Sequence, residues 1–278
     1  MDETERLSFV KKLFLFGCIC IGLIVAYIFW QIPSGETIKG CLKTTMFEVD
    51  LCPKSKNYVP LKNISNNLQK AIISTEDGKF YTHNGFDSDG IELCLEKIKK
   101  KGHFVCGGST ITQQLAKNMF LSKNKTLLRK GLEALITLKI ENTLNKREIL
   151  EKYLNVVQFG KDIYGVKKAS QFYFKKSPAN LDVVESAFLA MVLPSPQKYA
   201  QSYYRKDLTR FARRRITSIV ENMYQYHMIS EEAYLTALAR VDSFLVQGTA
   251  TVNANPLPKT DEPLLTEEEL DAIIEAEE

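Results

Sequence analysis

Apolar residues recur at three- and four-residue spacing along most of the chain, a pattern typical of amphipathic helices. No alternating apolar and polar run of any length competes with these patterns as a strand. One predicted helix ends near Gly78, and the others cover residues 127–142, 146–157, 181–193, 208–226 and 230–239. The pattern therefore predicts a mainly α fold.

The segment Leu13–Trp30 carries no charge over eighteen residues, which is long enough for one membrane-spanning helix with Trp30 as its interfacial anchor. Basic residues precede it, and the positive-inside rule places the N-terminus in the cytoplasm and the rest outside. A cleaved signal peptide is the competing interpretation, but no small-x-small cleavage site follows the apolar run. We predict an uncleaved anchor over residues 13–32.

A glycine pair and a polar row that ends in a cation lie together in the stretch Gly107-Gly-Ser-Thr-Ile-Thr-Gln-Gln-Leu-Ala-Lys-Asn118. Thr110 and Gln113 have the spacing of a capping box that opens a helix. Gln114 and Lys117 then lie one turn apart on the same helical face. This stretch is either a well-capped surface helix or one wall of a binding site.

Two acidic residues, Glu76 and Asp77, follow an apolar helical pattern for which Gly78 is a plausible stop. Negative charge is disfavoured at a helix C-terminus, so a carboxyl there tends to have a raised pKa. A carboxylate kept basic in this way is suited to act as a general base.

Arg129 and Glu133 lie four residues apart on a predicted helix, with Lys130 beside them. A simple intrahelical ion pair is the plain explanation, but an exposed pair of this kind contributes only about 0.3–0.5 kcal/mol. Stability is therefore a weak reason for the cluster.

Five ordered motifs together resemble family 51 glycosyltransferases, the peptidoglycan polymerases that join lipid II units. The motifs run Glu-Asp-x-x-Phe-x-x-His-x-Gly-x-Asp from Glu76 to Asp87, Gly-Gly-Ser-Thr-x-Thr-Gln-Gln-x-x-Lys-Asn from Gly107 to Asn118, Arg-Lys-x-x-Glu from Arg129 to Glu133, Ile-Leu-Glu-x-Tyr-Leu-Asn from Ile149 to Asn155, and Glu185-Ser-Ala-Phe-Leu-Ala with Pro194 and Pro196. The resemblance implies a lysozyme-like, mainly helical domain and a monofunctional transglycosylase. It also implies two partners, lipid II and the growing glycan chain.

The resemblance further implies that Glu76 is the general base and Glu133 the second catalytic acid. Glu133 would orient or protonate at the leaving side, or hold the neighbouring cations, and the sequence leaves these roles open. The implied substrate-binding residues are Asp77, Ser109, Thr110, Gln113, Gln114, Lys117, Asn118, Arg129 and Lys130. The run Arg213–Arg215 is interpreted as a solvated or membrane-facing stripe without a catalytic part.

The net charge of +4 is unevenly distributed, because Asp261–Glu278 holds nine acidic residues and no Lys or Arg. Without those nine charges the preceding residues carry +13. A basic body beside a bilayer suits anionic lipids and a pyrophosphate substrate, and we expect the bacterial inner membrane with the catalytic domain outside the cytoplasm. That location makes nucleic acid a poor partner, while other cell-wall synthesis proteins remain candidates.

Four of the six cysteines follow the predicted anchor, and in an extracytoplasmic domain Cys41 with Cys52 and Cys94 with Cys106 would close two short loops. Four separate thiols are the alternative. The cysteines lack Cys-x-x-Cys spacing and the three His residues are scattered, so no ligand cluster demands a metal. We expect no required cofactor, although Mg²⁺ or Mn²⁺ would be compatible with pyrophosphate departure.

The predicted organisation is a cytoplasmic segment 1–12, the anchor, a connecting segment 33–60, a glycosyltransferase domain 61–240 and an acidic tail 241–278 with disorder as its default. A short helix capped by Thr266 is the alternative in the tail. Residues 91–104 are interpreted either as an element at the membrane interface or as a solvated charged helix. Two rival functions remain, a glycan-cleaving lysozyme-like enzyme and a non-catalytic scaffold for cell-wall assembly.

Overall fold

The computed structural model describes residues 3–101, 108–124 and 126–247, and the predicted mainly helical fold is confirmed. The α-helices are α1 Glu3–Trp30, α2 Gly35–Lys39, α3 Asn66–Glu76, α4 Ser88–Lys101, α5 Ile111–Phe120, α6 Leu127–Glu141, α7 Lys146–Val156, α8 Val166–Phe174, α9 Val183–Val192, α10 Pro196–Tyr199, α11 Gln201–Arg205, α12 Arg210–Gln225, α13 Glu231–Arg240 and α14 Phe244–Gln247. Two short 3₁₀ helices cover Leu61–Asn63 and Pro178–Asn180. The strands are β1 Leu42–Lys43, β2 Asp50–Leu51, β3 Gln158–Gly160 and β4 Ile163–Tyr164, in two antiparallel pairs.

Helix α9 forms the centre of the core, because all ten of its residues are buried. It packs against α3, α12 and α13, each of which presents one apolar face. A capping box opens α9, in which Asp182 and Glu185 exchange side-chain and backbone hydrogen bonds. Helix α3 is thereby held on a rigid support, and its last residue is Glu76.

Helix α5 packs against α6 and α7, and the predicted capping box of Thr110 and Gln113 is present at its start. The turn before α4 approaches α6 closely at Gly85, whose φ is +89°. A Cβ atom at Gly85 would lie 2.8 Å from Cγ2 of Thr137, so a side chain would force the turn and α6 apart. Close contact of these elements positions the acidic and the cationic motifs beside one another.

The predicted connecting segment contributes to the folded body, since Ile38 and Leu51 are fully buried in the core. Strands β1 and β2 form a hairpin closed by a disulfide between Cys41 and Cys52, as predicted. Backbone amides of the hairpin donate to carbonyls at the end of α5, Thr45 to Met119 and Met46 to Asn118. The second predicted disulfide includes Cys106, which lies outside the described residues.

At the N-terminus, α1 is a helix over Glu3–Trp30. Within the described part of the chain, no helix has the length and apolarity needed to cross a membrane. Helix α4 covers most of residues 91–104 and exposes Leu93 and Leu95, while Phe104 lies outside the described residues. The acidic tail, with the alternative helix at Thr266, also lies outside them from residue 248 onward.

Candidate active site

Glu76 is the last residue of α3 and is half-buried, so its carboxylate lies at the C-terminal end of a well-packed helix. Burial raises the pKa of Glu76 above its ordinary value of 4.5. The hydrogen bond from Gln114 and the positive charges of Arg215 and Lys117 oppose this rise. The net effect is a raised pKa, the direction predicted from the sequence, although its main cause is burial and not the helix C-terminus.

A chain of three side chains fixes one oxygen of this carboxylate. The side-chain nitrogen of Gln114 donates to Oε2 of Glu76 at 2.8 Å, and the hydroxyl of Tyr153 donates to the side-chain oxygen of Gln114 at 3.0 Å. Tyr153 is fully buried in α7. Because Tyr153 is buried, it is a rigid first member of this series of hydrogen-bonded side chains. Its position in the sequence motif did not indicate this role.

Asp77 joins two elements of the site. Its Oδ1 lies 2.7 Å from Nε2 of His83, and its Oδ2 accepts from the backbone amide of Ile111 at 2.9 Å. Nδ1 of His83 accepts from the amide of Gly85, which places the ring proton on Nε2 and makes His83 the donor to Asp77. Asp77 is buried, and both its oxygens accept from protein donors. Its role is therefore to hold His83 and the start of α5 in place.

The polar residues at the start of α5 have contrasting environments. Thr110 caps the helix and donates to the carbonyl of Gly85, while the Gln113 side chain accepts from the backbone amide of Thr110. Both residues are buried, and the Thr110 hydroxyl and the Gln113 side-chain oxygen are hydrogen-bonded within the protein. Asn118 is also buried, whereas Gln114 is directed at Glu76.

Three predicted cationic residues gather around Glu133, which is buried in α6. Arg129 donates to Oε2 of Glu133 at 2.9 Å, and Lys130 donates to Oε1 and also reaches the hydroxyl of Ser109 at 3.4 Å. Lys117 on α5 interacts electrostatically with Arg129, Lys130 and Glu133 of α6. Burial lowers the pKa of Lys117 below 10.5. Both oxygens of Glu133 are thus committed to holding cations.

A cavity of ≈ 560 Å³ opens onto these cations. Its lining residues are Met46, Lys117, Ser122, Lys123, Thr126, Leu127, Arg129 and Lys130. Lys123 is a fourth cation that the sequence reasoning missed, and its ammonium lies 5.4 Å from the ring centre of Phe47. Leu127 is 94% exposed, so an apolar surface borders the cationic cavity.

Arg215 is a second residue that the sequence reasoning missed. It is exposed on α12, consistent with the predicted solvated stripe, yet its positive charge lowers the pKa of Glu76. Its place in a run of three arginines gave no signal for this, because only the packing of α12 on α3 determines which arginine faces Glu76.

Helix α5 connects the two halves of the site, with Gln114 on Glu76 and, one turn later, Lys117 beside the cations of α6. Among the described residues, no group of three or more His, Cys, Asp or Glu side chains is arranged to hold a metal ion. A basic carboxylate on one side and clustered cations on the other suit group transfer from an anionic leaving group. The fold and the site are thus those of a mainly helical group-transfer enzyme.

Residues 43–224 match the family model described as Transglycosylase, so the chain belongs to the transglycosylase family. It is 52% identical over 184 residues to the biosynthetic peptidoglycan transglycosylase of Thiobacillus denitrificans, covering 63% of this chain and 78% of that protein. Proteins of the same name from Acinetobacter baylyi and Bdellovibrio bacteriovorus are 48% and 40% identical, over 54% and 71% of this chain and 67% and 78% of theirs. The predicted family and enzyme class, a peptidoglycan glycosyltransferase, are confirmed.

Proposed function

We propose that this glycosyltransferase polymerises lipid II into glycan strands, with Glu76 as the general base. The observation that carries the proposal is the placement of Gln114 and Lys117 one turn apart on α5, the first bound to Glu76 and the second beside the α6 cations. One helix thereby sets the spacing between the base and the group that receives a leaving pyrophosphate.

In the proposed step, Glu76 takes the proton from a sugar hydroxyl of the acceptor, lipid II. The hydroxyl oxygen attacks the anomeric carbon at the reducing end of the growing chain, on the face opposite the lipid pyrophosphate. The new carbon–oxygen bond forms as the bond to the pyrophosphate breaks, and the pyrophosphate leaves with the electron pair. The anomeric configuration is inverted, and the proton stays on Glu76 until solvent removes it.

Lys117, Arg129 and Lys130 stabilise the charge that develops on the pyrophosphate, because cations in a partly dry cavity act strongly on phosphate oxygens. The lowered pKa of Lys117 arises mainly from burial, and an incoming diphosphate would raise that pKa again because negative charge favours the ammonium form. Glu133 holds Arg129 and Lys130 through its two oxygens. Ser109, within 3.4 Å of Lys130, is placed to hydrogen-bond a phosphate or sugar oxygen.

A membrane location fits the lipid-linked substrate, and the uncharged run Leu13–Trp30 supports an anchor over residues 13–32. Large apolar side chains of α1 are more than half exposed, including Phe14, Leu15, Phe16, Leu23, Phe29 and Trp30. Such a surface calls for an apolar environment. The exposed Leu93 and Leu95 of α4 and Leu127 beside the cavity support a catalytic domain that touches the bilayer interface.

The test is polymerisation of labelled lipid II by the detergent-purified full chain, beside Glu76→Gln and a matched control, Glu231→Gln, at an exposed position of α13. We expect polymer from the wild type and the control and none above background from Glu76→Gln. A folded wild type without activity across detergents and with Mg²⁺ or Mn²⁺ would contradict the proposal. Incubation with finished glycan strands tests the rival hydrolase, which alone predicts their cleavage.

A further inference from the structure

A second, larger cavity of ≈ 950 Å³ lies outside the candidate active site, and none of the predicted site residues lines it. Its walls are residues 57–63, the turn between β3 and β4, one face of α8, and the residues that follow α8. Five lysines line this lysine cleft, Lys62, Lys167, Lys168, Lys175 and Lys176, against one acidic residue, Asp162. The cleft is therefore a strongly basic concave surface.

Most of these lysines have no carboxylate partner in the described part of the chain. Lys176 pairs with Glu185 at 2.7 Å, but no ion pair engages Lys62, Lys167, Lys168 or Lys175 there. The ammonium of Lys175 lies 6.0 Å from the ring centre of Phe172 and near enough to Lys206 for the two positive charges to repel. Uncompensated like charges around a concavity attract an anionic ligand.

The chain itself carries a segment of matching charge. Residues 261–278 hold nine acidic side chains and no Lys or Arg. The described residues end at Gln247, in α14, where the ring of Phe244 lies 6.3 Å from the ring of Phe174 on α8. Phe174 directly precedes Lys175 of the cleft, so the described part of the chain ends close to the basic surface.

The segment between α14 and the acidic residues is also long enough to reach across the surface of the domain. Thirteen residues, 248–260, separate α14 from the first acidic residue, and an extended chain of that length reaches about 40 Å. We propose that the acidic segment 261–278 binds in the lysine cleft of the same molecule. The proposal rests on charge and chain geometry and does not depend on the proposed function.

The test is zero-length cross-linking of the full chain with a carbodiimide at low salt, followed by mass spectrometry of the joined peptides. We expect bonds between carboxylates of residues 261–278 and the amines of Lys62, Lys167, Lys168 and Lys175. Ions at about 1 M reduce the screening length to about 3 Å, so the yield should fall steeply there. A synthetic peptide of residues 261–278 should compete.

The double reversal Lys168→Glu/Lys175→Glu leaves Lys62 and Lys167 as reporters, and their cross-linking yield should fall about tenfold. The matched control, Lys54→Glu/Lys139→Glu, changes the net charge equally at exposed positions outside the cleft and should leave the yield unchanged. A mixture of isotopically labelled and unlabelled chains should give almost only unmixed products. Equal mixing would overturn the intramolecular assignment in favour of a second copy.

Two further results would overturn the proposal. Tail cross-links that fall evenly on surface lysines, or on Lys117 and Lys123 of the active-site cavity, would show that the cleft is not the binding surface. Phosphatidylglycerol vesicles that bind the wild type and lose affinity for the double reversal, without any tail cross-link, would assign the cleft to anionic lipid instead.

Discussion

The hydroxyl of Tyr153 lies 3.0 Å from the side-chain oxygen of Gln114, and this contact holds the Gln114 amide in place against Glu76. A hydroxyl that donates to the amide oxygen leaves the amide nitrogen for the carboxylate, 2.8 Å away. A flip of the amide would place its oxygen against the carboxylate and lose the bond to Glu76. A buried residue of α7 thus holds a residue of α5 against Glu76 at the end of α3.

Tyr153→Phe removes only this orienting bond, so we expect the Gln114 amide to rotate more freely and kcat to fall about tenfold. The Gln114 bond lowers the pKa of Glu76, and its weakening should move the acid limb of the pH–kcat profile to higher pH. Tyr173→Phe is the control, because Tyr173 is also buried and donates to the carbonyl of Phe159 at 2.6 Å.

Each change should cost about 1 kcal/mol of stability, but only the change at position 153 should alter the pH profile. Equal effects of both variants on kcat, with no shift of the acid limb, would reduce Tyr153 to a packing role.

Because the pKa of Glu76 is raised, we expect Glu76→Gln to stabilise the protein at pH 7 although it abolishes activity. Above the pKa of the folded state, the ionised carboxylate is held in an unfavourable environment, and this cost disappears once pH falls below the ordinary pKa of 4.5 that Glu76 has in the unfolded chain. Glu76→Gln should therefore raise Tm at pH 7 while abolishing polymerisation. Thermal unfolding at pH 7 and pH 4 should show a gain that vanishes at the lower pH, and a Tm below that of the wild type at pH 7 would refute it.

The two roles left open for Glu133 make different predictions. If Glu133 holds Arg129 and Lys130, Glu133→Gln should raise KM for lipid II, and its effect should be non-additive with Arg129→Met because the pair is in direct contact. If it donates a proton, the basic limb of the pH–kcat profile should disappear instead. Because both oxygens accept from cations, we expect the first result, and additive effects with loss of the basic limb would decide for the second.

Asp77→Asn should destabilise the protein by about 2–3 kcal/mol, since an amide cannot accept from both His83 and the Ile111 amide and leaves one buried donor unpaired. Urea unfolding measures the loss, and Asp50→Asn, at an exposed position of β2, is the control. A stable Asp77→Asn protein that has lost only lipid II affinity would instead indicate direct substrate contact.

The local structure of the site could be predicted from the residue types alone. The capping box at Thr110, the end of α3 at Glu76 and the ion pair of Arg129 with Glu133 all depend on residues within four positions of one another. Such short-range geometry follows from helix periodicity and cap chemistry, which the residue types encode directly. The ordered motifs indicated the family, and the match to the transglycosylase family over residues 43–224 confirmed it.

Which distant residues share the site depends on how the helices pack, and the sequence did not predict it. Tyr153 on Gln114, Arg215 toward Glu76, Lys123 in the cationic cavity and the lysine cleft each depend on the packing of separate helices or turns. One arginine of a run, or one buried tyrosine, has the same local pattern whether it faces the site or not. The helical period fixes which residues share a face, but the packing of whole elements fixes what that face meets.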